Sequence, residues 1–509
     1  MKTIIKLLLV FLPFAGSFAS TQDTIYVMRS GEVIYKKAVS ELDSISFENW
    51  SVNRRSITEK IATDDNYSIF YQGLVATGLV DSLKTDRDKT YDFWKYMTLI
   101  TTKKDLNLWF YDELPRLKRS GFTLFMESDS VFNLNNIRRL SDLKTYAAGI
   151  YNTVYPEDAL VNDVRNRKNS LNRFIAYHII NKKLSLRMLI DAYDTDHMLK
   201  TIDMYEYLET MCPGTLMEIK KARSTNQTNI INYVTQTGSS VRIINQFGAP
   251  EIYNGYYYGI DKPLCYDVNV LTELSGKRLR FDFAGIFPEL TNNNMRGNGT
   301  VSSVSPSQNI NYRIPRGYLS RMNTSEQTVV GYLTPYDKFQ NYQGDEICVW
   351  ANSGKLLDFT VTIPFIPVGT YEIRYGYLTN GRRGVIEMYL DGMPVGAPLN
   401  LNLQSSDPGI GYEAPHTVAT DYEGYENDKV MRNHGYMKGP ACYKVPKTGW
   451  SYGENARYST QILRKIVGTF NFTSAGSHTF TVKGLSYSEF MCDFIEFVPV
   501  SLLDTEDIY

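Results

Sequence analysis

Histidine is the side chain best suited to move a proton near neutral pH, and this chain has only five. His178 stands out among them. With Leu171, Phe174, Ile175 and Ile179 it recurs at helical spacing, so all five side chains fall on one stripe of a helix. A histidine on an apolar stripe is expected to pack and hydrogen-bond in a core rather than face a substrate or a metal. Tyr177 lies off the stripe, where its hydroxyl can reach a neighbouring loop. Carboxylates are plentiful, 55 Asp and Glu in all. A glycosidase pair could be drawn from Asp345, Glu346, Glu413 and Glu423, but no spacing sets two of them face to face. The five cysteines (Cys212, Cys265, Cys348, Cys442, Cys492) lie far apart, without CxxC or a histidine at ligand spacing, so neither a closed zinc site nor a dense disulfide framework is expected. GxSxG, HExxH, P-loop and helix-opening GxGxxG patterns are absent. Gly297-Asn-Gly299 lacks the third glycine and follows no strand. These residues predict no cofactor and no metal.

A second kind of chemistry is recognition by aromatic rings. The chain has 38 Tyr against 24 Phe, and a tyrosine offers a ring and a hydroxyl together. Tyr422, Tyr425, Tyr436, Tyr443, Trp450 and Tyr452 crowd a stretch rich in glycine, asparagine and charge. Exposed rings stack on the apolar faces of sugars, and Asp421, Arg432 and Asn433 could orient the hydroxyls. In Thr448-Gly-Trp-Ser-Tyr-Gly453 the rings of Trp450 and Tyr452 are two residues apart, on one side of an extended chain. That spacing predicts a sugar-binding platform. The alternative is that these rings seal long loops against a sandwich.

The elements that must position these groups follow from composition and periodicity. At 509 residues, the chain predicts about two to four domains. Hydrophobic residues make up 43% and charged residues 21%, a globular composition. A net charge of -1 gives no footprint for nucleic acid or an anionic bilayer. Lys2 and Lys6, the run Leu7–Leu12, then Ser17 and Ala19 at small-x-small spacing read as a signal peptide over residues 1–19, cleaved after Ala19. No cysteine follows the small residues, so an exported chain without a lipid anchor is expected, in the periplasm or at the cell surface. No stretch is long and apolar enough to span a bilayer.

Residues 20–50 predict a β-hairpin turning at Gly31. Residues 57–273 mix helices and strands: a helix over Tyr67–Thr77 ended by a left-handed Gly78, a strand over Gly121–Met126 opening a further helix, and the His178 helix capped by Asn169 or Ser170. Over 274–500 helical periodicity fades and short strands recur between glycine and proline, which predicts a β-sandwich. In Gly369–Tyr375, Tyr371, Ile373 and Tyr375 share one face, with Glu372 and Arg374 on the other.

The middle segment resembles a fasciclin domain. Phe70–Val80 is similar to that family's opening helix, Gly121–Phe132 to its first homology box (with Met126-Glu127 in place of the usual Ala-Pro), and Phe174-Ile-Ala-Tyr-His-Ile-Ile180 to its tyrosine–histidine box. Met204–Ile219 is a weaker match to the second box, and Asn254–Leu264 is similar to the closing box. The stretch from Leu83 to Gly121 is longer than usual, which implies a peripheral insertion. The last segment resembles the C-terminal domain accompanying a bacterial exported fasciclin subfamily, through phrases such as Gly369–Arg374, Arg383–Gly392 and Asp428–Pro440. Its strand grammar is also similar to carbohydrate-binding jelly rolls.

The resemblance implies an α+β fasciclin domain followed by a jelly-roll-like all-β sandwich. It carries a possible adhesion role to Tyr177 and His178, which the stripe weighs against. The expected function is non-catalytic adhesion or glycan binding in the cell envelope, with a polysaccharide or a cell-surface protein as partner. Two rival readings are a divergent polysaccharide-degrading enzyme with a carboxylate pair in the last domain, and an accessory subunit of an outer-membrane glycan-uptake complex.

Overall fold

The computed structural model describes residues 24–29, 32–38, 55–96, 114–190, 205–221, 229–247, 252–296, 311–334, 340–413, 422–441, 443–446, 452–487 and 489–504. The expected leader over residues 1–19 and its cleavage point at Ala19 lie outside them. Among the described residues no helix is long and apolar enough to cross a membrane. The chain forms two compact units, residues 1–54 and residues 55–509. In the first, Thr24–Arg29 pairs antiparallel with Glu32–Ala38, the hairpin that alternation around Gly31 predicts.

The second unit has mixed α and β content. Its first half is built on a seven-stranded sheet in the order Ile179–Ile180, Phe122–Glu127, Gly255–Ile260, Ser239–Phe247, Asn229–Val234, Leu216–Lys221 and Tyr205–Glu209. Among the described strand pairs of this sheet, Phe122–Glu127 and Gly255–Ile260 run parallel and the others antiparallel. The first of these strands is buried throughout, as a near-continuous apolar run should be. Helix Ser68–Thr77 ends at Gly78, whose φ of 74° is the left-handed stop the sequence predicts. Helix Ser170–Tyr177, further along the chain, starts where the Asn169 side chain accepts the N–H of Leu171.

Three larger antiparallel sheets, with the short pair Lys444–Pro446 and Tyr452–Asn455 beside them, are described in the second half. Five strands run in the order Leu279–Asp282, Phe494–Pro499, Gly369–Leu378, Ile462–Phe472 and Tyr436–Lys438. Four strands begin at Tyr312–Ile314 and end at Glu489–Cys492. A further sheet pairs Met322–Thr324, Asp358–Ile366, Gly476–Gly484 and Val385–Leu390, with two short edge pieces. Phe490 joins the three: its ring lies 5.3 Å from Phe359 and 5.4 Å from Tyr375. Tyr207 and Phe281, with ring centroids 6.4 Å apart, join the seven-stranded sheet to the five-stranded one. One apolar core therefore runs from Ile57 to Phe497.

Two expectations need correction. The stretch read as aromatic loops contains a helix, Tyr422–Asn433. Among its described side chains Asn427, Asp428 and Met431 are buried at helical spacing, but two of these three are polar, so they carry no apolar stripe that would signal the helix. The strand Gly369–Leu378 alternates as expected, yet its polar face is also buried, with Glu372 5% and Arg374 0% exposed. That face carries a belt of charge. Arg280 Nε lies 2.6 Å from Glu496 Oε1, and Arg464 Nη1 and Arg374 Nη1 lie 3.3 and 3.6 Å from Glu496 Oε2. Arg374 Nε also donates to Glu372 Oε1 at 2.7 Å. Burial by itself would raise the Glu496 carboxyl, but Arg280, Arg464, Arg278 and Arg374 outweigh it and hold the group well below the usual carboxylate range.

Candidate functional site

His178 is fully buried, one residue beyond its helix. Its Nδ1 is 2.7 Å from the Phe174 carbonyl, which can only accept, so Nδ1 carries a proton. Nε2 is 3.0 Å from Glu127 Oε1, and the same oxygen accepts the N–H of Leu264 at 2.8 Å. Tyr177 is buried too. Its hydroxyl donates to the Leu216 carbonyl at 2.9 Å and accepts from Asn232 Nδ2 at 2.8 Å, so it reaches two strands rather than a loop. Asn254 Oδ1 accepts the N–H of Ile57 at 2.9 Å, and Asn254 Nδ2 donates to the Leu83 carbonyl at 2.8 Å. The residues that make the sequence boxes recognisable thus tie sequence-distant segments together inside the core.

The aromatic candidates separate. Tyr443 is buried in a small cluster with Tyr342, Val445, Ile462 and Phe494, its ring 5.3 Å from Tyr342, so it seals the fold and offers no open face. Arg432 pairs with Glu372 and is part of the charged belt. Asn433 is exposed at the end of its helix. Tyr452 begins the strand Tyr452–Asn455, paired with Lys444–Pro446. Its side chain, Trp450 and Asp421 lie outside the described residues. Of the carboxylates considered for catalysis, Asp345 meets Arg296 at 2.7 Å and Glu346 accepts the Cys348 thiol at 3.0 Å. Glu413 is exposed.

Glu346, Cys348 and Glu489 bring three possible metal-ligand atoms within 4.8 Å of one another. Arg383 already supplies the positive charge there, with Nη1 2.9 Å from Glu489 Oε1 and Nη2 3.8 Å from Glu346 Oε1. Burial, reinforced by the two glutamates, pushes the Cys348 thiol well up, which keeps its proton. A thiol and a guanidinium therefore fill the position a cation would take.

The site that sequence reasoning missed is a cleft of about 530 Å³ where the two halves meet, a volume typical of ligand pockets. The segment 180–189, the turn Thr210–Thr215 and the strand Leu279–Asp282 form much of its wall. Arg321 pairs with Glu209, whose other oxygen accepts the N–H of Phe365 at 2.8 Å. Arg296 pairs with Asp282, and Asp282 also accepts the N–H of Gly285 at 2.6 Å. Lys182 Nζ donates to the Gly285 carbonyl at 2.5 Å. Hydroxyl and amide side chains (Asn181, Thr291, Ser320, Gln343, Thr362) alternate with apolar ones such as Leu184 and Ile286. No local motif could have revealed this cleft, because its walls come from segments up to about three hundred residues apart.

One wall residue is strained. Five described non-glycine residues have positive φ: Asn136, Asn232, Asn294, Asp391 and Gln343. Asn and Asp tolerate the left-handed region, whereas other side chains cost about 1–2 kcal/mol there. Gln343, at φ 64° and ψ 1°, is the exception. It occupies the third position of a turn closed by the Gly344 N–H to the Asn341 carbonyl at 3.0 Å, the position where a type II turn favours glycine.

No family model and no curated protein matches the chain. Among solved structures, a FAS1 domain pair from the insect cell adhesion molecule fasciclin I is similar at 14% identity over 43% of this chain and 53% of that one, with a TM-score of 0.24. A Paenibacillus xanthan lyase is similar at 15% identity, covering 35% of this chain and 12% of that one, with a TM-score of 0.19. The catalytic domain of a GH87 alpha-1,3-glucanase in complex with nigerose gives 14%, 35%, 26% and 0.17 for the same quantities. The chain thus covers from about an eighth to about half of these structures. Their TM-scores are too low to carry an argument.

Proposed function

We propose that this protein is a non-catalytic glycan-binding or adhesion protein of the cell envelope, with its ligand seated in the cleft between the two halves. The carrying observation is the make-up of that cleft: arginine–carboxylate pairs, hydroxyls and amides set among apolar side chains, the mixture that fits the alternating hydroxyl and C–H faces of a sugar. Glu209 and Asp282 are each tied to an arginine and a backbone N–H. That arrangement suits binding groups better than an acid–base pair, in which one carboxyl stands in an apolar pocket. The fasciclin-like boxes of the first half, the jelly-roll-like strand pattern of the second and the leader over residues 1–19 support an exported envelope protein. Trp450 and Tyr452 are a second proposed contact, outside the cleft.

Calorimetry of the full mature chain against a panel of polysaccharides tests this reading. The expected result is micromolar to millimolar binding without release of reducing ends, weakened roughly tenfold or more by Arg321→Ala. Trp450→Ala in parallel measures the loop platform. Release of reducing ends would overturn the non-catalytic reading, and unchanged binding by the Arg321 variant would overturn the cleft.

A further inference from the structure

We propose that Gln343 is the specificity-determining residue of the cleft, and that the glycan segment it reads is neutral. The proposal rests on the cleft being the ligand seat. Strain held in place by the surrounding fold points to function when the strained residue lines a site, and here the fold holds the turn from several directions. Asn341, just before it, is fully buried. Both carboxyl oxygens of Asp493 accept the Tyr342 N–H, at 2.9 and 3.0 Å. The Tyr342 ring is packed against Tyr443 and Phe494 at 5.3 and 5.7 Å. Asp345, which follows the turn, is bound by Arg296 and by the Tyr332 hydroxyl at 2.8 Å. Glycine occupies the next position, Gly344 at φ 79°, so the chain uses glycine for a left-handed conformation one residue later and keeps glutamine where the cleft is lined.

A carboxamide donates and accepts together, which matches a sugar hydroxyl on both counts, whereas an acceptor-only carboxylate or sulfate can use its N–H donors and leaves its oxygen unmatched. The cations of the lining point the same way. Arg321 faces Glu209, Arg296 faces Asp282 and Asp345, Arg280 faces Glu496, and Lys182 faces a carbonyl. At the three arginines an acidic ligand would meet guanidiniums that already face carboxylates.

The test uses the full mature chain and calorimetry with neutral gluco-oligosaccharides (β-1,4, β-1,3 and α-1,4 hexamers) and with a hexagalacturonate, each at low and high salt. The expected result is binding of a neutral hexamer that changes less than about twofold with salt. Gln343→Gly should weaken it about tenfold while melting at or above the parent's temperature, because glycine relieves the strain. Gln343→Asn, which tolerates the backbone but is one methylene shorter, should fall between. If Gln343→Gly binds like the parent while Arg321→Ala does not, the role of Gln343 is overturned and the cleft stands. If neither variant changes binding, or the parent binds no hexamer, the cleft reading falls and this inference with it. Preference for the hexagalacturonate overturns the neutral class, and a lower melting temperature for Gln343→Gly overturns the strain argument.

Discussion

Two buried polar sites, one in each half of the large unit, are built on opposite plans. In the first half, His178 and Glu127 form a single pin in an apolar interior, with Phe174 and Phe70 rings 4.6 and 5.2 Å from the imidazole. In the second, three arginines converge on Glu496 and a fourth, Arg432, reaches the same belt through Glu372. The pin joins segments that apolar periodicity has already brought together, and it pairs one imidazole with one carboxyl side chain. The belt is itself what fills the space behind a sheet, and each charge there depends on several others. Losing one member of the pin should therefore cost a cavity and a hydrogen bond, whereas losing the hub of the belt should leave buried guanidiniums without their counter-charge.

The largest effect expected is accordingly at Glu496. Glu496→Gln keeps the shape and removes the charge, and should destabilise the protein by about 3–5 kcal/mol, read as a shift in the denaturant midpoint. A change below about 1 kcal/mol would show that the arginines are solvated and that the comparison is misdrawn.

His178→Ala should cost roughly 2–4 kcal/mol through a cavity and the lost hydrogen bond to the buried Glu127. Adhesion lost with an unchanged denaturant midpoint would instead make the histidine a contact residue.

The third prediction separates two carboxyls three residues apart. Burial pushes Asp493 well above the ordinary carboxylate range, although the Tyr342 N–H favours its charged form. The unfolded chain releases this proton near pH 4, while the folded protein holds it. Asp493 therefore contributes stability that is present below about pH 4 and is lost as pH rises toward its folded value. Glu496, held low, has the opposite sign: its contribution is present above the ordinary range and is lost as the solution is acidified. Asp493→Asn should thus flatten the decline of stability as pH rises above about 4, by up to about 1.4 kcal/mol per pH unit. Parallel stability–pH curves for parent and variant would remove Asp493 from the account.

What was legible in the sequence, and what was not, divides along the same line. Local signals carried the hairpin at Gly31, the left-handed stop at Gly78, the Asn169 cap and the burial of His178, because each depends on neighbours within about one turn of chain. Strand alternation in Gly369–Leu378 likewise separated two faces correctly. Alternation assigns residues to faces, but what covers each face is a tertiary matter. The burial of Glu372 and Arg374 was thus decided by long-range pairing with Arg432 and Glu496. Helix Tyr422–Asn433 was hidden for a related reason, since it buries Asn427 and Asp428, and Asp428 pairs with the buried Arg457. The cleft and the left-handed Gln343 were illegible altogether. A cavity belongs to no segment of chain, and glutamine at a position that favours glycine is tolerated only where distant residues such as Asp493 and Tyr443 hold the turn. The sequence by itself determined the elements whose signals are local, such as the hairpin at Gly31 and the helix stop at Gly78, and which of their faces are apolar. Only the tertiary structure decided where charge could be buried and where a ligand could sit, because both depend on side chains brought together from across the chain.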